Sequence, residues 1–96
     1  MLADNRVKLV LANPHVRNVF TTIAKNRQIL FKDLIGSMSP AVERDAIRAS
    51  LEELKKANLI KEVEETLTLG DFDRYYVTAD GLRIERQLQS IGLDVA

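Results

Sequence analysis

Arg44 and Arg48 stand four residues apart in a stretch whose apolar positions Ile47, Leu51 and Leu54 recur at helical spacing. A guanidinium carries a planar fork of N–H donors that fits a phosphate or the O6/N7 edge of guanine. On a wheel centred on the apolar stripe, Asp45, Arg48, Ala49, Glu52 and Lys56 fall on the outward arc, with Arg44 at its edge. Lys32 and Arg74 add further cations, and Ser37 and Ser39 add hydroxyls just before Pro40. The same groups also read as ordinary solvated side chains on a mixed-charge helix. An exposed Arg48–Glu52 pair at i,i+4 is worth only roughly 0.2–0.5 kcal/mol.

Other chemistries are thinly represented. With no cysteine and one histidine, the chain has no disulfide, thiol or thiolate-metal chemistry and few ligands for zinc. His15 follows Pro14 and reads as exposed, without catalytic partners. There is no glycine-rich phosphate loop and no metal-ligand spacing. Phe72, Tyr75 and Tyr76 offer rings on which single-stranded bases stack, yet alternation along a strand more simply sends some of them inward. The expectation is no enzyme activity, no cofactor and no metal.

Composition bounds the class. Of the 96 residues 46% are hydrophobic and 29% charged, the balance of a folded domain, and net charge is zero. Residues 1–39 carry six basic and two acidic side chains, residues 40–69 five and seven, residues 70–96 three and five. Attraction for phosphate must come mainly from the first third. The length fits one domain over residues 1–96, small enough that self-association would add useful buried surface. No apolar run approaches the roughly 20 residues of a membrane span, and no signal peptide is evident. A cytoplasmic protein without a membrane partner is expected.

The elements that must position these groups follow from periodicity. Asp4 is placed to cap a helix bearing Val7, Val10 and Leu11. Asn13-Pro14 ends it and opens a second, because asparagine caps well and proline suits the first helical position. Val16, Val19, Phe20 and Ile23 stripe that helix, which ends near Lys25-Asn26. Ile29-Leu30-Phe31 reads as an edge strand before a helix over about residues 32–37 that turns Leu34 and Ile35 inward. Residues 36–40 read as a turn, and the next helix begins at Pro40 or as late as Glu43, running through Ala57.

After Asn58, Leu59-Ile60 starts a strand with Val63, Leu67 and Leu69 at even spacing. Gly70-Asp71 reads as its turn, and Tyr75-Tyr76-Val77 as the returning arm. Thr78 caps a last helix with Ile84, Leu88 and Ile91 on one face, and Gly92 is placed to end it.

Leu30-Phe-Lys-Asp-Leu34, Leu54-Lys-Lys-Ala-Asn-Leu-Ile60 and Tyr76-Val-Thr-Ala-Asp-Gly-Leu82 together resemble MarR- and PadR-type bacterial and archaeal transcription regulators, over residues 16–89. The resemblance implies an α+β winged helix-turn-helix fold. A three-helix core with a β-hairpin wing (14–78) would be flanked by an N-terminal helix (1–13) and a C-terminal helix (79–92). It implies double-stranded DNA as partner and transcription regulation as role, with the helix over residues 44–56 in the major groove. Arg48, then Arg44, would reach base edges, beside Asp45 and Ala49. Lys32 and Lys56 would meet phosphates, Ser37 and Ser39 would donate to them from the turn, and Arg74 would be the wing's approach to the backbone.

A fold this small is not expected to bury Leu2, Val7, Val10 and Leu11 together with Ile84, Leu88, Ile91 and Leu93. In the resembling families the first and last helices commonly build a twofold dimer. A homodimer through Val7, Val10, Leu11, Ile84, Leu88 and Ile91 is therefore expected. Two departures stand out. Asn58 replaces the usual glycine, though asparagine tolerates the left-handed conformation. Residues 61–74 carry five acidic side chains against two basic, the reverse of a wing that grips phosphate. That departure supports a competing expectation, a winged-helix protein-interaction module that docks a basic protein partner and does not bind DNA.

Overall fold

The chain, seen in a computed structural model, is described over residues 5–38, 42–63 and 73–90. Those residues form an α+β arrangement of five helices and one three-stranded antiparallel sheet. In chain order they are α1 (Asn5–Ala12), α2 (Pro14–Asn26), β1 (Gln28–Leu30), α3 (Phe31–Met38), α4 (Arg44–Lys56), β2 (Ile60–Val63), β3 (Arg74–Val77) and α5 (Ala79–Ser90). The sheet runs β1-β3-β2, so β1 is an edge strand as its short apolar run suggests. Residues 1–4, 39–41, 64–72 and 91–96 lie outside the described residues. With them lie the expected Asp4 cap, the Gly70-Asp71 turn, the outer apolar positions Leu67 and Leu69, and Leu2, Ile91, Gly92 and Leu93.

Local chemistry sets most boundaries. Asn13 is extended, and its side-chain oxygen accepts from the amides of His15 (2.9 Å) and Val16 (3.5 Å) with Pro14 next in line. Arg27 ends α2 at φ 67°, its amide donating to the Ala24 carbonyl, and its own carbonyl accepts from Val77 to begin the sheet. At the end of α4 the Asn58 amide donates to Lys55 and the Leu59 amide to Leu54, the paired bonds of a Schellman ending, with Asn58 at φ 61°. Left-handed geometry is thus kept without glycine.

One difference from expectation concerns the turn after α3. Gly36, Ser37 and Met38 are helical, because continuing the helix brings Met38 onto the same buried face as Phe31 and Leu34. The Val42 amide then donates to the Met38 carbonyl, and α4 starts at Arg44 with Glu43 as its N-cap residue.

The start of α5 is knotted into the end of α4. The Thr78 hydroxyl donates to the Asn58 carbonyl (2.7 Å) and its Oγ1 accepts the Gly81 amide (2.9 Å) as the expected cap. Asp80 accepts from Arg6 of α1 (3.0 Å) and from Asn58 (3.1 Å) and also pairs with Arg83. Arg6 reaches the Ala57 carbonyl as well (3.3 Å). A Cβ on Gly81 would stand 2.3 Å from the Leu59 carbonyl oxygen, so only glycine admits this approach.

A single core runs through all five helices and includes Val7, Val10, Val16, Phe20, Ile23, Leu34, Ile47, Leu54, Ile84 and Leu88. Among the described residues no helix is long and apolar enough to cross a membrane.

Candidate nucleic-acid interface

The outward arc read from the α4 sequence is exposed as a set: Arg44, Asp45, Arg48, Ala49, Glu52 and Lys56 all face solvent, while Ile47, Ser50, Leu51 and Leu54 face the core. Rotation about the helix axis divides the arc. Arg44 and Arg48 lean toward α3, where both guanidiniums lie over the Phe31 ring, at 5.3 and 4.4 Å from its centroid. On the opposite flank Ala46, Ala49, Ser50 and Glu53 border a cleft of about 440 Å³, completed by Leu9, Ala12, Asn13, His15 and Val16. Ala49 therefore sits between the outer arc and that cleft.

A polar cluster holds α4 to the sheet. Lys55 bridges Glu52 (2.8 Å) and Glu62 of β2 (2.7 Å), and Glu62 accepts the Tyr75 hydroxyl (3.1 Å). Hydrogen bonds to Glu52 and Glu62 raise the Lys55 ammonium above its ordinary value. Burial alone would push Glu62 upward, but its bonds with Lys55, Asp73 and Tyr75 hold it below the usual glutamate range. Burial, reinforced by the Glu62 charge, moves the Tyr75 phenol well above its ordinary value. Tyr75 in turn packs its ring 6.3 Å from Phe31 at 56°. Glu52 thus goes to Lys55, and among the described residues no carboxylate pairs with Arg48.

The remaining candidates are scattered. Lys32 is exposed in the first turn of α3, directly after Phe31. Ser37 spends its hydroxyl on the Asp33 carbonyl of its own helix (3.0 Å), and Ser39 lies outside the described residues. Arg74 does not join the α4 face. Strand alternation sets it opposite Tyr75, and its guanidinium donates to Gln28 on β1 (3.1 Å).

The residues expected at a dimer surface mostly turn inward. Val7, Val10, Ile84 and Leu88 are at most 4% exposed within the single chain, so they form its core and present no face to a second copy. The cause is that α1 and α5 both pack on α2 and on each other, and Arg6–Asp80 ties α1 to the start of α5. Leu11 is half-buried against the same core, and Ile91 lies outside the described residues.

Two contributors escaped the sequence reading. Phe31 was visible only as a strand residue, because nothing in its spacing shows two arginines arriving from another helix. Lys55 falls between the inward stripe and the outward arc, and only the placement of Glu62 shows its use. A scan of protein-family models, a search of curated proteins and a search of solved structures each gave no match.

Proposed function

We propose that this chain is a winged helix-turn-helix module that binds double-stranded DNA as a transcription regulator, with α3 and α4 as the helix-turn-helix and β2–β3 as the root of the wing. The observation that carries the reading is Arg48: exposed, stacked over Phe31 and free of any carboxylate partner among the described residues. In this reading Arg48 and Arg44 reach base edges from the N-terminal half of α4, and Asp45 between them accepts from a cytosine amine. Lys32 and Lys56 meet phosphates on either side. The wing's acidity is partly spent at its root, since Glu62 is bonded to Lys55 and Tyr75. Burial of Val7, Val10, Ile84 and Leu88 favours one copy per site.

Titration of labelled duplex DNA, followed by anisotropy, tests the reading. Two lysine–phosphate contacts predict that affinity falls roughly 12-fold between about 50 and about 200 mM salt. Absence of binding at the lower salt rejects it. A second reading has its own observation: Asp45, Glu52 and Glu53 are exposed on α4 beside Arg44, Arg48 and Lys56, so the helix face carries no net positive charge. Such a face suits a basic protein partner. Binding to a basic peptide library with none to duplex DNA would select it.

A further inference from the structure

We infer that Phe31 is a positioning residue that aims Arg48 at guanine, making the pair the module's specificity element; this rests on the DNA-binding reading above. An exposed arginine is a rotamer-rich side chain, and freezing it on binding works against affinity. Here the ring beneath it is already fixed. Phe31 is 1% exposed, its amide donates to the Asp73 carbonyl (2.8 Å), and its neighbour Tyr75 is tethered through Glu62 to Lys55.

The ring holds the guanidinium carbon 4.4 Å from its centroid by cation–π attraction, which uses up none of the donors in the N–H fork. An ion pair would consume that fork. Stacking restrains Arg48 and leaves its donors available, and the neighbouring Glu52 is drawn off by Lys55. The base edge that presents two acceptors to such a fork is O6 and N7 of guanine. Arg44, farther from the ring centre, shares the same support less closely.

The test begins with selection from a randomised duplex library using wild type, Phe31→Leu and Arg48→Lys. The selected duplex is then titrated with and without 7-deazaguanine at each guanine. Wild type should require a guanine and lose about tenfold in affinity when its N7 is removed. Phe31→Leu, with wild-type circular dichroism, should bind the guanine site about tenfold more weakly and no longer distinguish the analogue, and Arg48→Lys should behave alike. Upfield ring-current shifts of the Arg48 side-chain protons in wild type report the stack without any variant.

A wild-type site indifferent to guanine, undiminished discrimination in folded Phe31→Leu, or no ring-current shift would each overturn the inference. If wild type enriches no duplex even at low salt, the DNA-binding reading itself has failed.

Discussion

Single residues here do separable jobs, and substitutions should separate them. Arg48 is exposed and contributes to the fold only through its stack, an interaction worth about 0.5–1 kcal/mol at such sites. Arg48→Ala should therefore leave stability within about 1 kcal/mol of wild type in urea titrations while lowering affinity for the preferred duplex about tenfold or more. Asp80 shows the opposite profile. Hydrogen bonds from Arg6 and Asn58, with Arg83 beside them, lower its pKa from the ordinary 3.8. A carboxyl depressed on folding stabilises the native state above the unfolded value, and that contribution disappears as pH falls through the folded one.

Acid titration of stability should accordingly lose part of its slope below about pH 4 in Asp80→Asn, compared with wild type. Equal slopes would mean the cluster does not act as described. Lys55 and Tyr75 have the reverse sign. Both are raised on folding, so their contribution is complete below their ordinary values of 10.5 and 10.0 and is lost as pH rises further. Stability should fall above about pH 10, and Tyr75→Phe should remove the tyrosine share of that fall.

At the scale of elements, two glycines make opposed predictions. Gly36 lies exposed inside α3, and a Cβ there meets nothing within 4 Å. Gly36→Ala should stabilise the fold by about 0.5–1 kcal/mol, by raising helix propensity. Gly81 has the Leu59 carbonyl in its way, so Gly81→Ala should cost about 1–3 kcal/mol through displacement of α5 from the end of α4. Thermal or urea unfolding of the two variants should move in opposite directions.

The same glycines show where the sequence was legible. Asn13-Pro14, Asn58 and Thr78 announce their junctions because each satisfies local amides or a local backbone angle, and all three act where their types suggest. Gly36 misleads because its turn-forming character is outweighed by a tertiary gain, the burial of Met38. The end of α2 at Asn26 falls where the sequence suggests, but the left-handed Arg27 after it carries no such mark, since arginine seldom adopts positive φ and is held there as the sheet begins.

On the whole molecule, the apolar periodicities of α1, α2, α4 and α5 were readable, but which of them meet was not. Stripes on α1 and α5 look surplus to a three-helix core until their packing on α2 is seen. Leu88→Ala tests that placement. It should cost about 2–5 kcal/mol, and the unfolding midpoint should not depend on protein concentration. A midpoint that rises with concentration would return Leu88 to an interface between copies.

The candidate site was legible as residue types, since Arg44 and Arg48 stood out on α4. It was illegible as geometry, because Phe31 meets the arginines from α3, Tyr75 backs Phe31 from β3, and Glu62 returns to Lys55 from β2. The most direct measurement of the central claim is duplex-DNA anisotropy at low salt for wild type beside Arg48→Ala. Saturable binding by wild type, weakened about tenfold or more by the substitution, is the predicted result. No binding by wild type, or equal binding by both, would contradict it.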